Sequence, residues 1–155
     1  MSLITSFRVV GYDVDHWACR EVSRVTGARV NHIGFRFQLL NKFDYETFVL
    51  AKPTDTLVPV RKLQKLLPKP VVMTPSMYCD TDPLWFNKAS EVAMSYGHGN
   101  YIYPYVYHYL GRHVGMPVPK SCTDLVYQCL RICGMNVQER FYPHQLLKEV
   151  YKQCM

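Results

Sequence analysis

The sequence predicts an α+β fold, with a central antiparallel sheet packed against helices in a single domain spanning residues 1–155. Strand-like patterns lie in the middle of the pattern and helical ones at both ends, without the βαβ repetition that builds a parallel sheet. A chain of 155 residues that is 48% hydrophobic is large enough to bury one sizeable core.

Taken in order, Ser6 to Tyr12 reads as a first extended segment. Asp15 to Thr26 reads as a helix with Trp17, Ala18, Val22 and Val25 on one face, stopped by Gly27. Val30 to Leu39 alternates as a strand, and Tyr45 to Ala51 forms a second one after a polar turn at Asn41-Lys42, so the two make a hairpin. Thr56 to Val60 is a short third strand, followed by a helix from Arg61 to Leu67. Lys69 to Met73 is another strand, fenced by prolines. Asp82-Pro83 opens a helix whose core positions are Leu84, Trp85, Ala89, Val92 and Ala93. Ser95 to Asn100 is a glycine-marked loop. The tyrosines from Tyr101 to Tyr109 alternate like a strand, whereas Pro104 suits a helix start, and both readings stand. Phe141 to Gln153 closes the chain as a helix.

The sharpest local signal is Ser121-Cys122-Thr123-Asp124-Leu125-Val126. Ser121 is a favoured N-cap, and Asp124 three residues later gives a capping-box pattern with Asp in place of Glu. Cys122, Leu125, Val126, Cys129, Leu130 and Cys133 recur on one apolar face, and Gly134 supplies a left-handed stop. Cys122 thus stands on the first helical turn, where backbone N–H groups and the helix dipole favour a thiolate. A small buried hydrophobe is the ordinary fate of such a cysteine. A histidine that reaches it changes that, and His32, in Asn31-His32-Ile33-Gly34, is the candidate.

Six cysteines without a visible secretory signal point to free thiols in a reducing, cytoplasmic setting. Cys129 and Cys133 have no partner pair with zinc-like spacing, and His98, His108 and His113 match no metal motif, so neither a metal nor another cofactor is expected. No apolar run approaches the roughly 20 residues of a membrane span. The net charge of +6 is modest, and its local cluster at Arg61, Lys62, Lys65 and Lys69 reads as a solvated helix face, so no obligatory nucleic-acid partner is expected.

The order of these parts resembles the circularly permuted NlpC/P60 hydrolases of the papain-like superfamily, which include YiiX-like proteins and lecithin:retinol acyltransferase relatives. The resemblance is carried by Asn31-His32-Ile33-Gly34 early in a strand and by Cys122-Thr123-Asp124-Leu125-Val126 late, at a helix start. Phe48 to Val60, Tyr96-Gly97 and Tyr142 to Leu147 are weaker matches in the same order. It implies a papain-like fold in which Cys122 is the nucleophile and His32 the base, with Tyr96 lining the pocket or donating to the oxyanion. In YiiX-like members a Glu before the Ala of the second strand orients the histidine. Here that position is Leu50. Glu46 shares its strand parity but lies roughly 13 Å away along the strand.

The chemistry expected of this pair is acyl transfer: Cys122 attacks, His32 takes and returns the proton, and the Cys122 N–H donates to the oxyanion. The leading expectation is a cysteine peptidase or amidase acting on a peptide, by resemblance one of cell-wall type, through a thioacyl intermediate. The first alternative is a thioesterase, lipid acyl hydrolase or acyltransferase using the same site. The second is a non-catalytic binding module on the same fold. A cell-wall substrate without a signal peptide implies delivery by a phage particle, lysis or a specialised secretion system.

Overall fold

The computed structural model describes residues 4–39, 44–47, 57–78, 107–117 and 121–154. The expected helix after Asp82, the loop at Ser95–Asn100, Leu50 and Tyr96 lie outside them.

The elements are β1 (Ile4–Tyr12), α1 (Trp17–Thr26), β2 (His32–Leu39), β3 (Asp44–Thr47), β4 (Leu57–Pro59), α2 (Val60–Leu66) and β5 (Val72–Met73). A π-helical turn, Tyr107–Gly111, then runs into α3 (Arg112–Val114), followed by α4 (Cys122–Ile132) and α5 (Pro143–Cys154). The sheet is antiparallel throughout, in the order β4-β3-β2-β1-β5. The α+β class and central sheet are therefore as expected. Of the two readings of the tyrosine segment, the described part, from Tyr107, is helical.

Register decides which side chains share a face. Tyr12 pairs with His32, Val10 with Gly34 and Arg8 with Arg36, and Arg36 pairs in turn with Glu46. Those residues point to one side, where Val10, Tyr12 and Val58 join Cys19 of α1 and Leu63 of α2 in a small core. The alternate residues Phe7, Val9, Ile33, Phe35 and Phe37 point to the other side. There they meet Leu125, Val126, Cys129 and Leu130 of α4 and Leu146, Leu147 and Val150 of α5 in the larger core.

The face expected of α1 is buried only in part, Ala18 and Val22 being half-buried. Trp17 is 54% exposed and Val25 36%, while Cys19 is the helix's buried residue. Cys19 joins Val10, Tyr12, Val58 and Leu63 in the smaller core. Its stop is as read, with Gly27 in the left-handed region at φ 68°. Cys129 and Cys133 are core residues, and Arg61, Lys62, Lys65 and Lys69 are solvent-exposed.

Candidate active site

The start of α4 is set by local chemistry. Ser121 is extended, and its hydroxyl accepts from the Asp124 N–H at 3.3 Å while its carbonyl accepts from the Leu125 N–H at 3.0 Å. At the other end Gly134 adopts φ 87°, donating to the Arg131 carbonyl as Met135 donates to that of Leu130, both at 3.0 Å. That is a Schellman closure. Fixed at both ends, the helix buries Leu125, Val126, Cys129 and Leu130 against β2 and leaves Cys122 half-buried at its first position.

The Cys122 sulfur sits against the edge of β2. On that edge the Phe35 N–H is taken by the Thr47 hydroxyl at 3.0 Å, and the next donor, two residues back, is Ile33. The Ile33 N–H reaches the Cys122 sulfur, as do the N–H groups of Thr123 and of Cys122 itself. Cys122 of α4 is therefore fastened to the residue that follows His32. Burial pushes the thiol above its ordinary value, and these donors, with the Thr123 hydroxyl, pull back only part of the way. The helix terminus was expected to lower the thiol pKa. It acts in that direction, but desolvation is larger. Cys19 of α1 lies within electrostatic range of Cys122, and its own thiol is pushed up to about 12, chiefly by burial.

His32 is 1% exposed. Burial pulls its imidazole down to about 4, so the ring is neutral at pH 7. The Tyr12 ring lies beside it with centroids 5.9 Å apart. The residue before it is held firmly too. The Asn31 amide accepts from the Val14 N–H at 2.7 Å and donates to the Val14 carbonyl at 3.2 Å and the Ser23 hydroxyl at 3.0 Å. Asn31 thus ties the strand carrying His32 to the segment leading into α1 and to α1 itself.

Glu46 is fully buried, directly across from Arg36, which is four residues beyond His32 and so roughly 13 Å along β2. Its carboxylate accepts from Arg36 Nε at 2.9 Å and from the Tyr12 hydroxyl at 3.0 and 2.8 Å, one contact to each oxygen. Arg36 Nη2 also donates to the Tyr12 hydroxyl, at 3.0 Å. The carboxylate leans over Gly34, where a Cβ would fall 2.7 Å from it. Glu46 therefore acts on Tyr12, whose ring flanks His32. Burial pushes the Tyr12 phenol up, reinforced by the Glu46 charge. It pushes the Glu46 carboxyl up too, against the pull of Arg36 and Tyr12.

Arg36, Tyr12 and Asn31 were missed as site residues. The signal available for Arg36 and Glu46 was the hairpin itself, whose strands carry a cation and an anion, but the pairing register was needed to set them opposite each other. Among the described residues, no group of three or more His, Cys, Asp or Glu side chains is placed to hold a metal. No helix among them is long and apolar enough to cross a membrane.

The fold and site define an α+β protein in which a helix-start cysteine is fastened to the strand residue that follows a buried histidine. Comparison of the chain with protein families, with curated proteins and with solved structures finds no match.

Proposed function

We propose that this protein is a papain-like cysteine hydrolase of the circularly permuted NlpC/P60 type, cleaving an amide bond of a peptide substrate. The observation that carries the reading is the Cys122 sulfur at the α4 start accepting the N–H of Ile33, the residue next to His32. In the resting site both groups are neutral: the thiol because burial raises its pKa, the imidazole because burial lowers its own. The thiol is thus deprotonated as it attacks. The sulfur–carbon bond forms, the proton passes to His32, and the carbonyl electrons move to oxygen. The carbonyl re-forms, and the carbon–nitrogen bond breaks as His32 gives the proton to the departing amine. Water then attacks the thioester with His32 as base, the carbon–sulfur bond breaking and that proton returning to sulfur. Tyr12 serves as a positioning residue that packs against the imidazole, with Glu46 and Arg36 holding its hydroxyl.

The test is labelling with an iodoacetamide probe across pH in the wild type, Cys122→Ser and His32→Ala. Labelling is expected to concentrate on Cys122 and to persist down toward about pH 4, where His32 takes a proton. His32→Ala should abolish that low-pH limb. Labelling spread evenly over the cysteines would sink the proposal. Activity on muropeptides rather than acyl esters separates the amidase from a thioesterase or lipid acyl hydrolase. One observation favours a second reading, a binding module without catalysis: the Cys122 thiol lies above its ordinary value, and a Cys122 that resists alkylation at neutral pH would decide for it.

A further inference from the structure

At the far end of the face that carries His32, three charged residues form one row across three strands. Arg8 of β1 pairs with Arg36 of β2, and Arg36 with Glu46 of β3. Like charges directly opposite on neighbouring strands repel. Glu46 compensates Arg36 at 2.9 Å, but among the described residues no carboxylate forms an ion pair with Arg8. The Arg8 guanidinium is instead held by neutral groups, its Nε donating to the Ser76 hydroxyl at 2.9 Å and Nη1 to the Met73 sulfur at 3.3 Å. A cation fixed in place without a counter-charge is a preorganised anion receptor.

The two arginines also line a single cleft of about 440 Å³ together with Ser6, Met73, Ser76 and Tyr78. That volume suits one small molecule. We propose that this cleft binds a phosphate-bearing small molecule, its tetrahedral oxyanion seated between Arg8 and Arg36. Donors supplied by two separate guanidinium groups suit phosphate, whose oxygens point in several directions, better than a planar carboxylate. A carboxylate is best held by two parallel N–H groups along one guanidinium edge. On Arg36, Nε and Nη2 are committed to Glu46 and Tyr12, and on Arg8, Nε is committed to Ser76. With Arg8 Nη1 also donating to the Met73 sulfur, each guanidinium keeps three uncommitted N–H groups, and Ser6, Ser76 and Tyr78 line the cleft with them. Such an array satisfies three or more acceptor oxygens better than two. The rung from Arg8 to Arg36 is four residues from that of Tyr12 and His32, roughly 13 Å, so the cleft lies apart from His32 and does not rest on its chemistry, while sharing Arg36 with the support of Tyr12.

The experiment is a titration of the whole chain with inorganic phosphate, followed by amide and Arg Nε–H chemical shifts. Potassium chloride at matched ionic strength is the control, and acetate the planar competitor. The wild type should give saturable shifts at Arg8, Ser76 and Tyr78. Arg8→Gln should weaken phosphate binding about tenfold or more, the scale of a lost charge-assisted hydrogen bond. Ser76→Ala should weaken it less, because it only frees the guanidinium to move. Ser76→Ala also supplies the reading if Arg8→Gln fails to fold. The proposal is overturned by shifts no larger than those in potassium chloride, by unchanged affinity in either variant, or by acetate binding tighter than phosphate.

Discussion

On the side covered by α4 and α5, the sheet presents Phe7, Val9, Ile33, Phe35 and Phe37, and the helices return leucines and valines. On the side covered by α1 and α2, the same two strands present Tyr12, His32, Gly34 and Arg36, with Glu46 folded over them from β3. Both sides exclude water, but with different consequences. Hydrocarbon packing contributes in proportion to the area buried, and its contribution changes little with pH. The polar side holds a buried ion pair, a phenol and a neutral imidazole, each costly to desolvate, so it adds little net stability while fixing geometry tightly. Stability is thus concentrated on one side of the sheet and the chemistry around His32 on the other.

The comparison can be broken most forcefully at Glu46. Glu46→Ala should cost about 3–5 kcal/mol, because it strands the Arg36 guanidinium, whose side chain is only 16% exposed. Replacing Arg36 and Glu46 together with Met and Leu should recover most of that loss. Urea denaturation of the three variants checks it, and a double variant as unstable as the single would contradict the account. On the apolar side, Leu130→Ala should cost about 2–5 kcal/mol through the cavity it leaves in the larger core, equally at pH 5 and pH 7.

The third prediction sharpens the contrast through pH. Below pH 6.5 the unfolded chain takes up a proton on His32 that the folded chain refuses until about pH 4, so stability should fall as pH drops through that window. The full loss is about 3 kcal/mol. His32→Gln should flatten the profile, whereas Leu130→Ala should lower the whole curve without changing its shape. Parallel profiles for wild type and His32→Gln would remove His32 as the titrating group.

What was legible in the sequence follows from range. Ser121 and Gly134 bound α4 by rules that operate within four residues, and both ends of the helix stand where those rules put them. The hairpin of β2 and β3 was readable from alternation. The partnership of Arg36 with Glu46 was not, since alternation gives the face but not the rung. The sequence sets Glu46, the candidate orienting residue, roughly 13 Å along the strand from Leu50, but its partner Tyr12 comes from β1, which neither motif mentions. The thiol of Cys122 departs from expectation for a similar reason: the helix start is local, whereas its burial comes from β2 and the larger core.

The missing methyl at Gly34 carries a consequence for inheritance. Because a Cβ there would overlap the Glu46 carboxylate, positions 34 and 46 cannot drift independently. A lineage that keeps the acid must keep the glycine. One that gains a side chain at 34 must first have shortened residue 46, which draws the carboxylate back from Tyr12 and Arg36 or removes it. Across relatives, then, the pair should change in a fixed order or not at all.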